Sequence, residues 1–240
     1  MKISKTFAFF CALLLSSVLA FPLRAQTDST RVRGIQYSSA EAERLRLEAA
    51  PRGVQGFAVS VDLLGPVLAA VSSYGQYEAA VRMNIAQRFF PTIEAGWGVC
   101  NKTDDNTDLH FKTKAAPFIR VGCDYNFLND VRSGHKLLGG LRLGYSTFKY
   151  DLSGKNLDDP YWNTSTPFQF ESKSSNALWL ELAAGVETAV WKRVHLGWSV
   201  RYRRRISHTT STPGQAWYIP GFGKNDIGVF SGMFNVVLVI

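Results

Sequence analysis

From residue 55 to the C-terminus the chain alternates apolar and polar positions with a period of two, in eight runs. Phe57, Val59, Val61 and Leu63 form the first apolar set, and Tyr77, Ala79, Val81, Met83 and Ile85 the second. Ile93, Ala95, Trp97 and Val99 form the third, and Ile119, Val121, Cys123, Tyr125 and Phe127 the fourth. Leu141, Leu143 and Tyr145 mark the fifth; the sixth, seventh and eighth cover 178–186, 194–202 and 230–240. Successive side chains of a strand point to opposite faces, so runs of this length and period are strands rather than helices.

The connections add topology. Segments 86–89, 129–136 and 192–193 are short or moderate, whereas 65–75, 101–115, 151–176 and 207–225 are mostly much longer, and the two kinds alternate. That order suits neighbouring strands that run up and down a closed wall, with short turns at one rim and long loops at the other. The pattern therefore predicts an all-β fold, an eight-stranded antiparallel up-and-down transmembrane β-barrel over 54–240. Both chain ends are expected at the short-turn, periplasmic side.

Side-chain size decides which face is inside. Trp97, Tyr125, Leu143, Leu180, Trp198 and Phe234 lie on the apolar faces, and eight strands enclose too little space for so many large groups. The opposite faces carry small residues and a nearly balanced set of charges: Asp62, Glu78, Glu94, Asp124, Glu181 and Glu187 with Arg82, Arg120, Arg142, Arg201 and Arg203. No lysine falls on these predicted inward positions, and the guanidinium fork suits enclosed carboxylate pairing better than an ammonium does. The charges are expected to form a lumen network, and the apolar face to meet lipid. A soluble lipocalin-like ligand carrier, with the faces reversed, is the alternative.

Net charge is +8, from 27 basic and 19 acidic residues. Lys2 and Lys5 precede an apolar run over 7–19, and small residues lie before Gln26, the pattern of a secretory signal peptide over 1–25. Cleavage there removes three of the 27 basic residues (Lys2, Lys5 and Arg24) and none of the 19 acidic ones, leaving +5. An exported chain of that charge does not call for nucleic acid as a partner. The polar segment 26–53, with Ser38 and Glu41 placed as a capping box, is expected to be a periplasmic N-terminal segment with a short helix.

The basic tract at 201–205 then divides. Arg201 and Arg203 face the lumen, while Arg204 and Arg205 sit at the strand end, where lipopolysaccharide phosphates are the nearest anions. Cys100 and Cys123 stand on opposite faces and several residues apart in register, too far for a disulfide, so both are expected to be free thiols. The long loop at 151–176 carries Tyr161, Trp162, Phe168 and Phe170. Such aromatics either recognise an extracellular glycan or protein or fold back over the barrel mouth, and both readings stay open.

Signal peptide, eight strands and charged lumen together resemble the OmpA/OmpX type of small barrel over 55–240, as an architecture. More specifically, "GPVLAAVSSYGQYEAAVRMN", "HLGWSVRYRRRISH" and "WYIPGFGK" look like an uncharacterised family of Bacteroidota outer-membrane proteins of about 240 residues. That resemblance implies location and fold and carries no catalytic residues. Outer-membrane lipid, lipopolysaccharide and the barrel-assembly machinery are the partners it implies.

Catalysis is weighed at one place. Ser207-His208 resembles the histidine and serine of lipid A and phospholipid hydrolase barrels, but Thr210 stands where their serine would follow the histidine. The expectation is a non-enzymatic barrel, structural or surface-binding through its loops, with a lipid hydrolase as the alternative. The scattered histidines show no metal spacing, and no cofactor is expected.

Overall fold

The computed structural model describes residues 53–104, 108–128, 134–159, 161, 164–166, 168–209 and 215–240. The expected signal peptide and almost all of the N-terminal segment lie outside the described residues. Eight long strands form a ring: β1 (Val54–Asp62), β2 (Tyr74–Ile85), β3 (Phe89–Thr103), β4 (His110–Asn126), β5 (His135–Ser153), β8 (Gln169–Ala189), β9 (Val194–His208) and β12 (Gly228–Val239). Each pairs antiparallel with its neighbour in chain order, and β1 pairs with both β2 and β12, which closes the ring. Two small hairpins stand in the long connections, β6 (Leu157–Asp159) with β7 (Thr164–Thr166) and β10 (Tyr218–Ile219) with β11 (Gly223–Lys224).

The wall is uneven in height. β1 has 9 residues, whereas β4, β5 and β8 have 17, 19 and 21. The three tall strands continue through stretches that read as loops in the sequence. Thr113, Leu152 and Ser175 keep inward, buried positions there, while exposed Lys112 and Lys114 give the outward side a loop-like composition. An irregularity between Thr113 and Phe118 shifts the period, which hides the continuation of β4 from a strict count of two.

The first long connection also departs from expectation, since it contains a helix, α1 (Leu64–Val71). Gly65 and Pro66 read as breakers, yet proline is tolerated in a first helical turn, where its missing N–H has no partner to lose. Asp62, the last residue of β1, accepts hydrogen bonds from the Leu64 and Gly65 amides at 3.2 and 2.7 Å and so starts the helix.

Large apolar side chains cover the outside of the ring: Trp97 is 57% exposed, Leu182 51% and Phe230 75%. Aromatic contacts run between outward positions, Phe89 with Tyr125 and Tyr125 with Phe127 near the short-turn rim, and Trp198 with Phe234 at 4.3 Å between ring centres. The core is inside the ring. It is apolar toward the long-loop rim and charged below.

Candidate functional site: the filled lumen

Strand register builds the central charge cluster. Glu94 pairs across strands with Arg120, and Glu181 lies between Arg142 and Arg203 in the ladder. Neighbouring inward positions thus carry opposite charge, the arrangement that favours cross-strand pairs. Glu94 receives Arg120 Nη1 at 2.8 Å, Arg142 Nε at 2.9 Å and Arg201 through two nitrogens at 2.7 and 3.0 Å. Glu181 takes Arg201 at 2.9 Å and Arg203 at 3.0 Å, Glu78 takes Arg120 at 3.0 Å, and Asp124 takes Arg142 at 2.8 Å. Four guanidiniums meet four carboxylates, and Arg120 and Glu181 are fully buried. Burial of so many ions is tolerable only because each has an opposite charge within ion-pair distance, although Arg142 Nη1 and Arg203 Nη2 are buried without a hydrogen-bond partner.

A second cluster lies nearer the short-turn rim around Glu187. Its carboxylate is held by Arg82, by Lys136 Nζ at 2.7 Å and by His195 Nδ1 at 2.8 Å. Lys136 corrects the expectation of a lysine-free lumen: β5 begins at His135, two residues earlier than the loop assignment of 129–136 allowed. Arg82 and Lys136 both lie over the Phe90 ring, at 5.4 Å from its centre. Asp62 shares the inward face but makes no ion pair among the described residues. Its carboxylate serves the α1 amides and the Phe234 N–H instead. Ten of the eleven charges expected in the lumen therefore fall into two clusters.

The long-loop end is closed by a segment that composition alone did not single out. Residues 215–227, between β9 and β12, fold into the mouth as the β10–β11 hairpin. Gly221 makes its tip with a φ of +80°, a conformation that favours glycine, and an added Cβ would meet the Phe118 ring at 2.5 Å. The hairpin buries Ala216, Tyr218, Ile219 and Phe222. Ala216, Ile219 and Phe222 pack against Ala116, Phe118, Phe148, Tyr150, Ala177 and Trp179 from the inward faces of β4, β5 and β8.

The charge cluster anchors the hairpin from below. Arg120 Nη2 donates to the Gly221 carbonyl at 2.9 Å and Arg203 Nη1 to the Phe222 carbonyl at 3.1 Å. Tyr218 donates to the Gly75 carbonyl at 3.2 Å. The apolar run "WYIPGFG" within a long loop was the available signal, because a loop bathed in solvent has no reason to hold so many apolar residues in sequence.

The remaining singled-out residues do not gather. Arg204 points outward and is exposed, but Arg205 turns back to the Asn225 side chain beside the hairpin, so the two arginines do not form one outward pair. Phe168 and Phe170 stack edge to face at 5.1 Å, and Tyr161 is exposed. Trp162 lies outside the described residues. Both cysteines are free, Cys100 buried and Cys123 exposed on the outer face. His208 has no carboxylate paired with it among the described residues, and its Nε2 is buried without a hydrogen-bond partner. Among those residues no group of three His, Cys, Asp or Glu is placed to hold a metal ion.

Chemically, the lumen offers permanent charge in mutual neutralisation and little space. Between the two clusters lies a cavity of about 50 Å³, bordered by Arg82, Glu94, Asp124, Arg142, Glu187 and Arg201. Ligand pockets are typically about 300–1,000 Å³, so this space suits a few water molecules and not a metabolite.

Among solved structures the chain is similar to Neisserial surface protein A at 18% identity, covering 79% of this chain and 99% of that one with a TM-score of 0.41. It is similar to Ail, the attachment invasion locus protein of Yersinia pestis, at 12% identity, with 77% and 98% covered and a TM-score of 0.39. A major outer membrane protein from Thermus thermophilus matches at 12% identity, with 77% and 98% covered and a TM-score of 0.44. No curated protein matches the chain in sequence. The family model described as a domain of unknown function, DUF6048, matches residues 3–239.

Proposed function

The chain belongs to the DUF6048 family, whose description assigns no activity, and we propose that it is a non-enzymatic outer-membrane barrel with a closed lumen. One observation carries this reading: the ring wears its large apolar side chains outside and its paired charges inside. Leu180, Trp198 and Phe234 face outward, whereas Arg120, Glu94 and Glu181 are at most 1% exposed. In water that distribution would expose a continuous greasy belt, and in a bilayer it matches solvent to surface on both sides. A lipocalin-like carrier would need the opposite distribution.

In this reading the long loops face the exterior and both ends of the barrel face the periplasm. The cap hairpin and the charge clusters block the lumen in series, so the barrel is no pore. Its role lies in the wall and the loops, either structural or in binding a glycan or protein at the surface through Tyr161, Trp162, Phe168 and Phe170. Lipopolysaccharide phosphate is the partner for Arg204, and the barrel-assembly machinery inserts the chain. Arg204→Ser is expected to weaken co-purification of lipopolysaccharide.

Electrophoresis of the outer-membrane fraction with and without boiling tests the reading. A folded barrel migrates differently before heating, and planar-bilayer recordings of the same material show no steady openings. Recovery of the chain only in the soluble periplasmic fraction, or stable conductance, overturns it.

A further inference from the structure

The helix α1 stands at the lowest point of the wall. At about 3.3 Å per residue and a tilt near 45°, the 9 residues of β1 rise only ~21 Å, short of the ~25 Å apolar band of an outer-membrane barrel. The 12 residues of β2 and of β12 reach ~28 Å by the same reckoning. Something apolar is therefore missing from the band above β1, and α1 is the element that comes directly after β1 in the chain.

Its placement is outside the ring. Gly75 occupies an outward position of β2, in line with Tyr77, Ala79 and Val81, and a Cβ added there would come within 2.3 Å of the Ala69 methyl. The helix thus rests directly on the outer face of the wall, and only a glycine permits the approach. The other side of α1 is left bare: Val67 is 55% exposed, Leu68 43% and Val71 76%. From Leu63 to Tyr77 no charged residue occurs, although the other long connections carry Asp104, Lys155 and Asp226. A connection meant for water has no reason to be apolar on its free face and free of charge throughout.

We infer that α1 is a membrane-inserted wedge that lies against the outside of β2 and sets Val67, Leu68 and Val71 among the acyl chains of the leaflet at the long-loop rim. It completes the apolar band where β1 falls short, continuous with the lipid-facing belt below it. The inference rests on the outer-membrane reading above. Asp62 belongs to it: the carboxylate stays inside the ring while its two hydrogen bonds fix the point where the chain leaves the strand and turns outward.

Fluorescent labels on single cysteines test it in the full-length chain folded into phosphatidylcholine vesicles with brominated acyl chains. Cys11→Ser and Cys123→Ser remove two of the three native thiols, and Cys100, being buried, stays in place. Val67→Cys and Leu68→Cys probe the helix, Val81→Cys the lipid-facing wall, and Lys155→Cys the solvent. The unboiled gel shift establishes that each variant has folded. The wedge is supported if labels at 67 or 68 lose emission to the bromines as the label at 81 does, while the label at 155 does not. Quenching at 81 without quenching at 67 and 68 overturns the wedge and leaves the membrane barrel standing. Absence of quenching at 81 overturns both.

Discussion

Replacing Glu94 by glutamine changes one oxygen for an amide and almost no volume, yet it removes the carboxylate on which three guanidiniums converge. In the wild-type protein Arg120, Arg142 and Arg201 all reach Glu94 between 2.7 and 3.0 Å. Glu94→Gln leaves four buried guanidiniums against three carboxylates. Breaking a buried pair by neutralising one member costs about 3–5 kcal/mol, because the surviving charge keeps its desolvation without its partner. At about 1.4 kcal/mol per decade that is a loss of roughly two to three and a half orders of magnitude in the folding equilibrium. The structure also specifies a compensating change. With Arg201→Met added, Glu78 keeps Arg120, Asp124 keeps Arg142 and Glu181 keeps Arg203, so every remaining carboxylate retains one arginine. The double variant should regain more than half of the loss, a coupling visible in a double-mutant cycle. Urea unfolding in lipid vesicles, followed by tryptophan fluorescence and by the unboiled gel shift, measures each midpoint. A single variant within about 1 kcal/mol of wild type, or a double variant whose losses simply add, would refute the account of the lumen as interdependent ion pairs. Asp108→Asn, which removes the exposed partner of Lys155, serves as the control and should leave the midpoint unchanged.

Phe222→Ala empties the centre of the cap core beside Trp179 and should destabilise the barrel by about 3–5 kcal/mol, read from the same unfolding curves. Asp62→Ala should loosen α1 more than the strands, seen as faster amide exchange confined to 64–71. A maleimide reagent should label Cys123 in the folded protein and Cys100 only after denaturation, and a disulfide found by mass would contradict both placements. His208→Ala, as the sole copy in the cell, should leave the lipid A acylation pattern unchanged, since its ring has no acidic partner among the described residues.

Much of the wall was legible because strand periodicity couples directly to facing. Val81, Ile93 and Leu143 against Arg82, Glu94 and Arg142 already state which side is greasy and which is charged. The charged residues themselves could be named, since arginine with carboxylate on one parity has few uses other than enclosed pairing. The reading failed where a local signal was ambiguous. Lys112 and Lys114 resemble loop residues until the inward Thr113 between them is seen to be buried. Gly65-Pro66 resembles a turn until the carboxylate of Asp62 is found capping the helix that contains it. Lys136 joins Glu187 only because the rim of β5 meets β8 there, a contact between residues 51 positions apart in the chain.

Alternation and the spacing of connections along the chain were enough to determine the number of long strands, their antiparallel order and the side that residues of the regular runs face, because those properties depend on near neighbours. Which arginine meets which carboxylate depended on register and shear around the ring, and those are set by closure. The cap hairpin and the helix on the outer wall needed the tertiary structure for a similar reason. "WYIPGFG" and "LGPVLAAV" are apolar in either case, and only the shape of the finished barrel supplies the mouth that one fills and the low wall that the other covers.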